Sequence, residues 1–157
     1  MSMGELTNVG RALKNNLAVQ GIYINLSIAT NSEISSDMIY LAVMQLSEER
    51  PNGESLFDSE FISGVELNES IGFSSLKKSI GFAFTDQLYE LGFDVSGPQD
   101  ISTTLRHEFG HLMGVALHNT IRGSLMSSGG LIPFGRHDHY MFPGFTTDEL
   151  QLIFRGP

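Results

Sequence analysis

His107-Glu108-Phe109-Gly110-His111 sets two imidazoles four residues apart with a carboxylate beside the first. On a helix, residues four apart share a face, so both rings aim at one point. Two neutral imidazoles converging from one face are the usual first half of a zinc site, and a glutamate in the second position can reach water at that metal. Gly114 lies seven residues beyond His107, two turns along, where a residue without a side chain can take the left-handed conformation that ends a helix. His118 follows four residues later, within reach of a short loop that returns a third imidazole to the same point. Three protein ligands leave a fourth position open, which is the arrangement of a catalytic rather than a structural zinc. Ser124-Leu125-Met126-Ser127 then places a methionine eight residues after His118.

The composition narrows what else is available. There are no cysteines, so a disulfide framework and a thiolate site are both excluded, and any zinc rests on His, Asp or Glu. The 157 residues suffice for one domain (1–157) with a core that needs no covalent staple. A hydrophobic share of 41% beside 17% charged residues is that of a globular chain, and no apolar run approaches the roughly 20 residues of a membrane span. Eighteen acidic against nine basic residues give a net charge of -9, which repels a phosphate backbone and removes nucleic acid from the expected partners. Residues 1–19 carry polar side chains throughout and lack a signal-peptide core, so a cytoplasmic protein is the expectation; a monomer is preferred, with no residue pattern that fixes the oligomeric state.

The elements that must carry the histidines follow from periodicity and punctuation. Leu6, Val9, Leu13 and Leu17 recur at helical spacing up to a stop at Gly21. Over 22–29, Ile22, Ile24, Leu26 and Ile28 alternate with polar neighbours, which predicts a half-buried strand. Ser35 or Ser36 is placed to cap a second helix reaching about Glu49, with Met38, Leu41, Ala42, Gln45 and Leu46 along one face and Pro51-Asn52-Gly53 ending it. Short strands are expected at 61–67, 71–76, 80–84 and 91–95, with Gly81 and Gly92 at bends or close approaches. The motif helix spans about 98–114, begun by a capping box of Ser96 and Gln99; Ile101, Leu105, Phe109 and Leu112 form its packed face and the histidines look into a cleft. Thr146 and Glu149 form a second capping box for a final helix through about Phe154.

With these residues in place the chain resembles the metzincin clan of zinc peptidases, whose pattern is His-Glu-x-x-His-x-x-Gly-x-x-His followed by a methionine-containing turn. The likeness covers mainly residues 98–127 and is shared between matrixins, which often read His-Glu-Phe-Gly-His, and archaemetzincins, whose third histidine also precedes the methionine by eight residues. It implies a single α+β domain with a twisted mixed sheet, packed helices, a long active-site helix, a methionine turn and a C-terminal helix. It also implies one catalytic Zn2+ held by His107, His111 and His118, with Glu108 as catalytic base, Gly114 and Met126 as structural support, and a peptide or protein as substrate. The four cysteines of a second, structural zinc in archaemetzincins fall on Asn119, Ser124, Gly144 and Thr147, so that site is absent. Val115-Ala116-Leu117 is one residue longer than the pattern and leaves Leu117 at the expected ligand position; the eight-residue interval to Met126 selects His118, with His137 and His139 as substitutes.

The remaining candidates have plainer readings. Asp94 and Asp100 could hold calcium, but without an oxygen-rich loop they read as a turn residue and a first-turn helix carboxylate. Arg136-His137-Asp138-His139 reads as a solvated loop and Gly129-Gly130 as a flexible turn, while Leu131 to Tyr140 would border a substrate pocket if the resemblance holds. Two rivals to a peptidase with three histidine ligands stand beside it. One is a non-catalytic binding module whose metal only holds shape; the other is a zinc peptidase whose third ligand is Glu149.

Overall fold

A computed structural model describes residues 1–28, 37–46, 72–76, 79–121, 124–127 and 144–156. The chain order is α1 (Met3–Val19), β1 (Tyr40–Met44), β2 (Gly72–Ser75), β3 (Ile80–Phe84), α2 (Thr85–Glu90), α3 (Gln99–Leu112) and α4 (Thr147–Arg155). These make a small α+β fold around a three-stranded mixed sheet of order β1-β3-β2, in which β1 runs parallel and β2 antiparallel to β3. Among the described residues, no helix is long and apolar enough to cross a membrane.

α1 begins at a capping box: the Ser2 hydroxyl accepts from the Glu5 N–H, and the Ser2 N–H donates to the Glu5 carboxylate at 2.6 Å. Its apolar stripe buries Val9, Leu13 and Leu17 against α3, and Gly21 at φ 80° turns the chain out of the helix. Residues 22–28 keep the anticipated alternation, with Ile22 buried, Ile24, Leu26 and Ile28 half-buried and the residues between them exposed, yet no strand forms there. The alternation reports one-sided packing over α1 near Gly10, which a side chain touching Ile28 would disrupt, and not ladder pairing.

The helix expected over 36–49 is corrected in its described part: Tyr40–Met44 is the strand β1. The run from Met38 to Met44 is apolar without a break, which suits a strand covered on both faces better than a helix with one dry side. Leu41 and Val43 pack on the main core with α1 and α3, whereas Tyr40, Ala42 and Met44 pack on the opposite face with Ile80, Phe82 and Phe84. The strand expected at 80–84 is β3, and β2 falls inside 71–76. Residues 91–95 form no strand; the short helix α2 precedes them, closed by Gly92 at φ 84°. The predicted strand at 61–67 lies outside the described residues.

α3 is close to its expected span but starts differently. Pro98 is the N-cap and no side chain caps the helix; Ser96 is instead drawn to Asp94, whose Oδ1 accepts from the Ser96 N–H and Oγ at 2.9 and 2.6 Å. The two-sided character expected of α3 is also corrected, because Asp100 through Gly110 are all buried. α1 covers one flank and the sheet another, where Gly81 lets the helix approach so closely that a methyl there would lie 2.9 Å from Glu108 Cβ. The third flank meets Met126 and Phe145 at Gly110. Phe145 is fixed in turn by the Gln20 side-chain amide, which donates to its carbonyl at 2.9 Å and accepts from its N–H at 2.7 Å.

Candidate metal centre

His107 and His111 leave α3 one turn apart, as their spacing dictates. Beyond them the helix stops: Met113 is the C-cap and Gly114 takes φ 109°, a conformation that side chains oppose. The chain turns back at that glycine, and the Val115 N–H closes onto the Gly110 carbonyl at 3.0 Å. The extra residue of this loop is absorbed by leaving Leu117 81% exposed, and it is His118 that arrives beside the other two histidines.

The three Nε2 atoms form a nearly equilateral triangle, with His107 to His118 at 3.0 Å and His107 to His111 and His111 to His118 at 3.1 Å. The rings meet edge to edge at interplanar angles of 40 to 81° rather than stacking. His107 Nδ1 donates to the Leu125 carbonyl and His111 Nδ1 to the Val115 carbonyl, each at 2.7 Å. A carbonyl only accepts, so each Nδ1 carries the ring's proton, and the neutral ring presents a bare lone pair at Nε2. Burial holds both rings neutral: it depresses His107 to about 4 against the pull of the Leu125 hydrogen bond, with the neighbouring histidines adding to the depression, and it lowers His111 in the same direction.

The bare Nε2 lone pairs of His107 and His111 meet at 3.1 Å with no proton between them and repel one another, and a shared cation removes that repulsion. Nitrogen ligands roughly 2.0–2.1 Å from one tetrahedral centre stand roughly 3.3–3.4 Å apart, so the triangle is slightly tighter than that spacing. Three imidazoles that converge in this way could hold a metal ion. Among the described residues, no other group of three His, Asp or Glu side chains converges in this way. Asp100 accepts from the Asp94 N–H at 2.8 Å, and Asp94 in turn accepts from the Ser96 N–H and hydroxyl. His137 and His139, with Leu131 to Tyr140 and Gly129-Gly130, lie outside the described residues.

The Glu108 carboxyl lies against β2, and only 6% of the residue is exposed. Its Oε2 accepts from the Ser74 hydroxyl of β2 at 2.5 Å, and Gly72 makes room for the other oxygen. Burial raises this carboxyl to about 7, and the Ser74 hydrogen bond opposes part of the rise.

Met126 is fully buried against Gly110, between the two helical histidines, and its carbonyl accepts from the Asn119 N–H at 2.9 Å. Glu149 is not near the histidine cluster as a ligand; it caps α4 and binds Asn119. Sequence reasoning missed Ser74, Asn119 and the Leu125 and Val115 carbonyls. The carbonyls carry no residue signature, and Ser74 lies 34 positions from the glutamate it meets. Asn119, adjacent to a candidate ligand and polar, was the one with a readable signal. Comparison with models of known protein families, with curated proteins and with solved structures finds no match.

Proposed function

We propose that the chain is a zinc-dependent endopeptidase of metzincin type, with His107, His111 and His118 holding the metal and Glu108 as general base. The observation that carries this reading is the triangle of Nε2 atoms 3.0–3.1 Å apart, built from a His-Glu-x-x-His helix and a returning loop. A zinc ion there supplies Lewis acidity, polarising a scissile carbonyl and acidifying water. The protein's own groups do the rest. The Leu125 and Val115 carbonyls hold two ligand rings in the tautomer that ligation requires. Glu108, raised to about 7, is suited to accept a proton from water as it attacks the carbonyl carbon and to return it to the amine nitrogen as the C–N bond breaks. Among the described strands β2 ends the order β1-β3-β2 beside Glu108, which favours an extended peptide pairing along that side.

The test has two steps. Wild type is expected to contain one zinc per chain and His107→Ala none; a wild-type protein that takes up no zinc sinks the reading. Glu108→Gln is expected to keep its zinc while turnover of a broad peptide library falls by about 10²–10⁴. A second reading is favoured by the burial of Glu108 and its bond to Ser74: the metal holds shape in a module without turnover. Peptide cleavage by wild type, abolished by a chelator and restored by zinc, rejects that alternative; zinc uptake without any cleavage selects it.

A further inference from the structure

We infer that Glu149 is a positioning residue for the third histidine: through Asn119 and Ser124 it fixes the chain that carries His118, and so sets how tightly the cluster holds a metal. The inference rests on the metal-binding reading and adds to it a control exerted from α4. Capping alone does not explain this carboxylate. The equivalent glutamate of α1, Glu5, closes its capping box while exposed to solvent, whereas Glu149 is only 7% exposed. A buried carboxylate is tolerated where each oxygen is hydrogen-bonded, and Glu149 meets that requirement from two directions. Oε1 accepts from the Thr146 N–H at 2.8 Å, which is the cap; Oε2 accepts from Asn119 Nδ2 at 2.8 Å, which is not.

Asn119 has no freedom to turn its amide. The Ile121 N–H donates to its Oδ1 at 2.9 Å, so Nδ2 is directed at the Ser124 hydroxyl, 2.7 Å away, and at Glu149. Its backbone N–H also donates to the Met126 carbonyl, bridging it to the turn that supplies the Leu125 carbonyl to His107. The consequence falls on His118. His107 and His111 are each oriented by a carbonyl at Nδ1, but no such acceptor holds His118 among the described residues. The His118 backbone is anchored at the next residue, and that anchor helps to place its ring beside the other two.

The experiment uses the full chain with four measurements: zinc affinity against a chromophoric chelator, the visible spectrum of the cobalt(II) form, thermal stability, and the His118 ring resonances without metal. Glu149→Gln keeps an acceptor for the Thr146 N–H, since glutamine serves in a capping box, but turns a donor toward the Asn119 donor. It is expected to fold as wild type does, to weaken zinc by about 10-fold or more, to alter the cobalt spectrum and to broaden the His118 signals. Adding Asn119→Asp supplies an acceptor to that amide and is expected to restore affinity and spectrum; a stability effect alone would not follow this pattern. If Glu149→Gln proves too unstable to assay, Asn119→Ala leaves the capping box intact and carries the same expectation for affinity and signals. Unchanged zinc affinity in Glu149→Gln or Asn119→Ala overturns the inference, as does a double variant no better than the single. A wild type that binds no zinc marks instead the failure of the metal reading, and the His118 signals then decide whether Glu149 holds the ring.

Discussion

At the scale of single residues, the candidate centre divides into groups that announce themselves by type and groups that do not. His107, Glu108 and His111 are legible because helical spacing turns sequence distance into direction. What makes them competent is less visible: two backbone carbonyls set the tautomers, and one serine on a distant strand sets the state of the carboxyl. The last is open to test. The Ser74 hydroxyl donates to Glu108 and favours its ionised form, so Ser74→Ala is expected to raise the Glu108 carboxyl further above about 7. In the proposed reaction Glu108 acts as a carboxylate, so the acidic limb of the kcat/KM profile should move to higher pH while the rate at pH 9 changes little. A variant whose acidic limb coincides with that of wild type would show that Ser74 does not tune Glu108.

At the scale of elements, legibility followed the physical signal each element carries. α1, α3 and α4 were readable from apolar periodicity and, for α4, from a capping box that the structure contains. β1 was misread because an uninterrupted apolar run has no period to distinguish strand from helix. α2, six residues long, is too short to display one. The elements meet at glycines, which are visible in sequence only as punctuation although three of them set packing distances around α3. Gly110 is the sharpest case: a methyl there would lie 2.6 Å from Met126 Sδ and 2.7 Å from Phe145 Cε1, and both of those side chains are buried. Gly110→Ala is therefore expected to destabilise the fold by about 1–3 kcal/mol through overpacking, and to displace Met126 from beneath the histidine helix. For a chain of this length that is a fall in Tm of roughly 2–4 °C per kcal/mol. Gly4→Ala is the control. That site is helical and its nearest contact is the Ser2 hydroxyl at 3.9 Å, so the substitution should be neutral or stabilising by about 0.5–1 kcal/mol. Equal melting temperatures for Gly110→Ala and wild type would mean that Met126 and Phe145 do not define that contact.

At the scale of the whole molecule, the centre's chemistry must appear in the stability of the fold, because α3 is both its chemical and its packing axis. Sequence alone identified the α3 motif but did not show how far the helix would be enclosed, and enclosure is what perturbs its ionisable groups. Consider the protein in the presence of a chelator, with the three histidines free of any metal. Glu108 has a folded value of about 7 against 4.5, so the folded state binds its proton more tightly than the unfolded one. Its contribution is complete below pH 4.5 and is lost as pH rises through 7. His107 has a folded value of about 4 against 6.5, so its contribution is complete above pH 6.5 and is lost as pH falls through 4; His111 shifts in the same direction. Across pH 4.5 to 6.5 the falling Glu108 contribution and the rising His107 contribution oppose each other, and wild-type stability should change little. Glu108→Gln removes only the falling part, so its stability should rise through that interval and level off above it. The gap between the two proteins in urea unfolding is expected to change by about 3 kcal/mol from pH 4.5 to 7.5, in favour of the variant at the higher pH. A gap that stays constant across that range would mean that Glu108 is not enclosed as a protonated acid, and the burial of α3 against the sheet would then need revision.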